Sequence, residues 1–323
     1  MGRAPNIDGV LIQWGDRLFY PGNHIVRARS LPKLSGSSNR NRAAIIRARI
    51  EATVIRRATQ VMVKVTGGGR GIRGIAAHFR YISKNGRLAI ENELGQALRG
   101  KDALPELVED WRFGGTLIVD VSPRREAFNI MLSMPRGIDP LVVQRAARAF
   151  AQEELKDHKY VMVLHDHQAN PHVHMSVRAE SKHGKRLNPR KADLQRWRET
   201  FARRLREWCI DAEATRQATR GQSRNFDPLW RIKARNDGRL HSSNSGSTNK
   251  STQQSRATRT EAAEAWGHLA RALATSTDRS DRKLAHTITK FVRDESACES
   301  FDRTVMAREV APSSKSIDVD LRR

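Results

Sequence analysis

The ten residues His165-Asp166-His167-Gln168-Ala169-Asn170-Pro171-His172-Val173-His174 constrain the fold of this chain more than any other stretch. Before them runs Tyr160-Val161-Met162-Val163-Leu164, and after them Met175-Ser176-Val177-Arg178-Ala179. Two short β-prone runs around a polar Asn-Pro stretch read as strands over 160–164 and 172–179. Alternate side chains of a strand share a face, with Cα atoms ~6.5–7 Å apart, so His172 and His174 can converge on one ion. Pro171 sits at the strand start, where its missing N–H costs nothing. A turn over 168–170 brings His165, at the end of the first strand, back beside the pair. Three neutral imidazoles leave coordination positions open, as a catalytic metal requires. A single surface histidine usually does nothing, but four of the chain's 11 histidines lie in these ten residues. His158 and His183, just outside, read as surface residues.

The rest of the chain places this hairpin in an α/β fold with strands and helices interleaved between about 60 and 210. Residues 44–60 fit a basic helix. Gln60-Val61-Met62-Val63-Lys64-Val65 reads as a strand, followed by a glycine-dense loop and a helix from Ile72 to about Ser83, ended by Asn85-Gly86. Residues 113–121 read as a second strand or a strand end, and 128–134 as a third strand. Asp139-Pro140 opens a helix to Leu155, with proline in its first turn. A long basic helix over 188–209 has Asn188 as its expected cap. The expected division is an N-terminal arm over 1–43, a main domain over 44–235, a flexible polar linker over 236–257, and a basic, helical and disordered extension over 258–323.

Charge narrows the partners. Lys and Arg total 59 against 35 Asp and Glu, a formal net charge of +24. Such an excess attracts polyanions over about a Debye length, ~8 Å at physiological salt. Nucleic acid is the first candidate and an anionic membrane surface the second. No apolar run approaches the ~18–20 residues that span a bilayer, and no secretory signal is visible. Two distant cysteines, Cys209 and Cys298, argue against a disulfide framework and fit a reducing cytoplasm.

Three further features bear on chemistry. Gly69-Arg70-Gly71-Ile72-Arg73-Gly74 mimics a dinucleotide fingerprint, but a lone match is weak. Glu91 and Glu93 fall beyond the helix end rather than on a second strand. The glycines read either as close backbone approach to a DNA phosphate at a helix N-terminus or as a tight turn. Tyr81, one of three tyrosines, lies near a helix C-terminus amid Arg80, Lys84 and Arg87. On its residues alone it is an ordinary amphipathic-helix position, although cations favour a phenolate. Finally, residues 182–220 are dense in cations, including Lys185, Arg186, Arg190, Lys191 and Arg196, and read as a phosphate-contacting surface. Trp197 and Trp208 within that run read as core.

Taken in order, Tyr81-Ile82-Ser83-Lys84-Asn85-Gly86, then Leu132-Ser133-Met134-Pro135, then His165 with Asn170-Pro171-His172-Val173-His174 resemble the three motifs of relaxases. These are conjugative and mobilisation nicking enzymes of the HUH endonuclease superfamily, and the similarity is to the branch with the tumour-inducing-plasmid border endonuclease. The resemblance spans about 55–225. It implies a mostly antiparallel central sheet flanked by helices, with Tyr81 as nucleophile, Ser133 contacting DNA near the nick, and His165, His172 and His174 holding Mg2+ or Mn2+. From their charge and position, Arg70, Arg73, Arg80, Lys84, Arg87, Lys185, Arg186, Arg190, Lys191 and Arg196 are the expected DNA-binding residues. The implied substrate is single-stranded or supercoiled DNA at a transfer origin. The implied partners are accessory relaxosome proteins and a type IV secretion coupling protein, with export from the cytoplasm alongside DNA. The tail ending Leu321-Arg322-Arg323 resembles such export signals. The chain departs from the family at His167, where Asp is common, and at Arg178, where Asn is common. Tyrosine before the histidines distinguishes relaxases from rolling-circle initiators, the alternative enzyme. A non-enzymatic basic DNA-binding accessory protein is the alternative outside catalysis.

Overall fold

The computed structural model describes residues 6–20, 36–167, 170–221, 237 and 248–309. Its helices are α1 (Ile7–Phe19), α2 (Gly36–Val54), α3 (Ile72–Ile82), α4 (Ala103–Phe113), α5 (Pro140–Glu154), α6 (Lys191–Glu207), α7 (Thr248–Ala274) and α8 (Arg279–Glu309). Its strands are β1 (Thr59–Gln60), β2 (Met62–Gly67), β3 (Ile90–Asn92), β4 (Ala97–Leu98), β5 (Ala127–Ser133), β6 (His158–His165), β7 (His172–Ser181) and β8 (Ala212–Glu213). The chain divides into two compact units.

The larger unit, from Ala48 to Thr215, is α+β. Its six-stranded sheet has the order β2-β5-β7-β6-β3-β4, and every neighbouring pair is antiparallel. Side-chain alternation sorts β5, β6 and β7 into two faces. Ile130, Leu132, Tyr160, Met162, Val173, Met175 and Val177 pack against Phe150, Trp197, Phe201 and Leu205 of α5 and α6. Val161, Val163 and Ala127 face the other way, onto Ile75 and Phe79 of α3 and Leu107 and Trp111 of α4. Period two then puts His165, His172, His174 and Ser133 on the α3 side, at one end of the sheet.

Several helix ends follow from local chemistry. Asp139 caps α5 by accepting from the Leu141 N–H at 2.9 Å, with Pro140 in the first turn. For α6 the expected cap shifts from Asn188 to Arg190, because Asp193 reaches back to the Arg190 N–H at 2.8 Å. Helix α4, with Leu104, Leu107 and Trp111 on one buried stripe, went unread in the sequence.

Residues 114–121 form no strand, contrary to expectation. Their side chains do alternate, with Ile118 buried and Leu117, Val119 and Val121 exposed. Their backbone groups, however, are spent on helix ends. The Ile118 N–H donates to Arg112 O at the end of α4, and Val119 O and Asp120 O accept from Ile72 and Arg73 at the start of α3. Buried Arg178 donates to Trp111 O and Thr116 O from below, fastening the segment. The first two N–H groups of α3 are thus met from within the protein. The glycine-rich loop is a packing device rather than a phosphate cradle: Gly69 O accepts from Glu126 and Ala127, and a Cβ on Gly68 would lie 2.2 Å from Ala127 O.

The second unit is helical. Part of the expected arm over 1–43 is helix α1, whose Leu11, Leu18 and Phe19 are buried. Phe19 and Phe291 both meet the Trp266 ring edge-on, and the Trp266 indole donates to Thr219 O at 2.9 Å. The expected linker over 236–257 overlaps α7, which begins at Thr248. The rest of that linker except Asp237, the arm's residues 21–35 and the last dozen residues lie outside the described residues. Among the described residues, no helix is long and apolar enough to cross a membrane.

The loop makes a stability prediction. Gly71 has φ 83°, and a Cβ there would stand 2.4 Å from Asp120 O. Gly71→Ala should cost about 2 kcal/mol or more from strain and clash combined. Gly95 has φ 81° with open space around it, so Gly95→Ala should cost only about 1 kcal/mol. Urea denaturation of the two variants measures the difference.

Candidate functional site

The hairpin β6–β7 builds the centre of the site. In its register His165 pairs with His172, and Ser133 of β5 pairs with His172 from the other side. One ligand nitrogen from each of His165, His172 and His174 lies within 4.8 Å of the other two. Their ring centroids are 4.7 to 5.1 Å apart. His165 and His172 are buried, and His174 is half-buried. The turn at Gln168-Ala169 lies outside the described residues.

Hydrogen bonds select the tautomers of two rings. His165 Nε2 is 2.7 Å from Ile82 O, and His172 Nδ1 is 2.9 Å from Asn170 O. A carbonyl only accepts, so each of those nitrogens carries the proton. The lone pair is then on His165 Nδ1 and His172 Nε2. Burial pushes His174 down to about 3, helped by the other imidazoles, and also lowers His165 against the pull of Ile82 O. Neutral, tautomer-selected imidazoles at this spacing fit a divalent or transition-metal ion.

Tyr81 stands over this cluster on α3. Its ring is 6.2 Å from the His174 ring and 68% exposed. Tyr81 is held at the very end of its helix, where each closing carbonyl finds a donor. Phe79 O accepts from Ser83, Arg80 O from Asn85 and Tyr81 O from Lys84, all backbone N–H groups. Ile82 O accepts from His165. The chain leaves through Lys84, Asn85 and Gly86, all with positive φ (51°, 58° and 83°). Asn85 and Gly86 were legible as a left-handed cap, whereas Lys84 in that region was not. The other tyrosines are elsewhere engaged. Tyr160 is buried in the core on the α5/α6 face, where burial pushes its phenol up to about 12. The Tyr20 hydroxyl accepts from Arg49 at 2.6 Å.

The remaining expected residues scatter. Ser133 is buried beside His172, and its Oγ donates to Pro171 O at 3.3 Å, which ties β5 to the start of β7. Arg80, Lys84 and Arg87 are exposed near Tyr81 and form no ion pair with any described residue, and Arg70 is likewise exposed at the helix start. Arg73 is paired with Asp120. Lys185, Arg186, Arg190, Lys191 and Arg196 follow the far end of β7, about 20–30 Å of strand from the histidines. There Arg186 is paired with Glu126 and Glu180, and Arg196 with Glu154 and Asp193. Much of the α6 charge run is thus neutralised by acidic neighbours, and Trp208, expected in the core, is exposed under Arg145.

One residue at the centre had no sequence signal. His78 lies three positions before Tyr81 on α3, with its ring 6.1 Å from that of Tyr81 and 6.4 Å from that of His174. Burial drives it down to about 4. Helical spacing could have flagged it, but only once Tyr81 was known to face the hairpin.

Residues 103–209 match the family described as relaxase: MobA/VirD2-like, nuclease domain. The match covers β5, the hairpin and its three histidines, and it begins after Tyr81. No curated protein matches the chain.

The depressed histidines set a pH dependence. A group with its folded pKa below its unfolded value contributes stability that is present above the unfolded pKa and lost as pH falls toward the folded one. For His174 that window runs from about 6.5 to about 3. The urea midpoint of metal-free protein should therefore fall between pH 7 and pH 5. His174→Phe should flatten that fall, and an unchanged slope would contradict the burial of a neutral imidazole.

Proposed function

We propose that this chain, a relaxase of the HUH superfamily with a DNA-nicking nuclease domain, starts DNA transfer by cutting one strand at a transfer origin through Tyr81. The observation that carries this reading is the Tyr81 ring beside a three-histidine cluster on one face of the sheet.

The reaction is transesterification of one phosphodiester. The Tyr81 oxygen attacks phosphorus in line, its proton passes to solvent, and the 3′ oxygen leaves and is protonated. The product is a 5′-phosphotyrosyl bond with a free 3′-hydroxyl. Because one ester replaces another, the strand can later be rejoined without an energy source. His165, His172 and His174 would hold a divalent ion, Mg2+ or Mn2+ in use, which supplies Lewis-acid polarisation of a phosphate oxygen. His165 and His172 are oriented for that task by Ile82 O and Asn170 O. The Ser133 hydroxyl supports the start of β7, beside His172, by donating to Pro171 O.

Single-stranded DNA would enter along the end of α3. Arg80, Lys84 and Arg87 flank Tyr81 without acidic partners among the described residues, so they can neutralise phosphates there. Accessory relaxosome proteins, a type IV secretion coupling protein and export from the cytoplasm with the DNA belong to the same reading, supported by the basic charge and the relaxase domain.

Tyr81→Phe removes only the hydroxyl. An oligonucleotide carrying the nick site, incubated with Mn2+ and run on a denaturing gel, should give a covalent adduct with wild type, Tyr20→Phe and Tyr160→Phe. It should give none with Tyr81→Phe, and adduct in that variant would assign the nucleophile elsewhere. For the DNA path, replacing Arg80, Lys84 and Arg87 together by Gln should flatten the plot of log affinity against log salt by about 2, at ~0.7 per phosphate contact on a single strand. An unchanged slope would remove these three from the interface.

A further inference from the structure

Two of the three cluster histidines have their outer nitrogen engaged by a carbonyl. The ring of His174 hydrogen-bonds to no described residue. A metal-ligating histidine almost always donates its outer N–H to some acceptor, which fixes ring orientation and raises ligand basicity. Beside His174 lies a second ring with the complementary deficit. His78 Nε2 is buried and has no hydrogen-bond partner among the described residues. A buried polar atom left so is costly, and such groups are rare without a reason.

The rings of His78 and His174 meet edge to face, 6.4 Å apart and at 77°. His78 is no fourth ligand, since it lies outside the set of nitrogens within 4.8 Å of one another. A hydrogen bond of about 3 Å between ring nitrogens places two imidazole centroids about 5 Å apart, so a movement of about 1 Å closes the gap.

We propose that His78 is a positioning residue for the metal site, whose Nε2 accepts the outer N–H of His174. This rests on the reading of the three histidines as the metal ligands. The site then has three acceptors for three ligands: Ile82 O, Asn170 O and His78 Nε2. Two of the three belong to α3, three residues before Tyr81 and one after it. Metal loading and placement of the tyrosine are thereby two consequences of docking one helix.

The test is metal affinity rather than turnover. Mn2+ binding is measured by calorimetry on the full chain, without DNA. His78→Phe keeps a ring of similar bulk and deletes the acceptor, so Mn2+ affinity should fall 10- to 100-fold. His78→Gln, whose side-chain carbonyl accepts, should recover most of the loss. Single-stranded DNA affinity in EDTA should be the same in all three proteins. Wild-type Mn2+ affinity in His78→Phe, or a Gln variant as weak as Phe, overturns the inference. His174→Ala is measured alongside. If it binds Mn2+ like wild type, the metal assignment fails and this inference with it. If it loses Mn2+ while His78→Phe does not, only the role of His78 fails. A further readout needs no variant: in nitrogen-15-labelled wild type, the His78 Nε2 resonance should shift on adding Zn2+. An unmoved resonance counts against the assignment.

Discussion

The bond from His165 Nε2 to Ile82 O joins the two halves of the site. On one side of it is the hairpin that gathers the histidines. On the other is the last turn of α3, with Tyr81 one residue earlier. A helix end leaves its final carbonyls without intrahelical donors, and buried ones must be met from elsewhere. Here the backbone N–H groups of Ser83, Lys84 and Asn85 meet their share, and the Ile82 carbonyl is met by a side chain of the cluster. One hydrogen bond therefore satisfies the helix, selects the tautomer of His165 and seats Tyr81 within ring contact of His174.

The opposite end of α3 is held as firmly. Carbonyls of Val119 and Asp120 occupy its first N–H groups, and buried Arg178 fastens the segment that supplies them. The role of Arg178 here is to satisfy carbonyls. Because α3 is fixed at both ends, the tyrosine approaches a cluster whose own geometry is fixed by strand register. Rigid elements on both sides suit the proposed transesterification, which needs the Tyr81 oxygen in line with one phosphate.

Charge is distributed less evenly than composition suggests. The arginines of α6 pair heavily with Glu153, Glu154 and Glu207, so the densest basic run in the sequence is partly neutral. The cations around Tyr81 have no such acidic neighbours among the described residues. A count of basic residues along the chain registers the first group more strongly, and only folding shows which charges are answered.

The sequence by itself determined the hairpin, its register face and its three histidines, because period-two alternation and the Asn-Pro break are local properties. Asp139-Pro140 and Asn85-Gly86 were legible for the same reason: caps and left-handed turns are written in adjacent residues. Misreadings arose wherever a partner distant in sequence decided the outcome. Residues 114–121 alternate like a strand, yet their hydrogen bonds go to two helix ends. The glycine-rich loop looks like a phosphate cradle, yet its glycines make room for Ala127 and Asp120 backbone. Residues in the expected N-terminal arm are a helix because Trp266, far along the chain, covers Phe19. His78 carried no signal at all, since it lies far from the other histidines in sequence and joins them only when α3 lies across β7. Local periodicity and capping chemistry select elements, but which side chains meet is set by how those elements pack, and only the tertiary structure decided that.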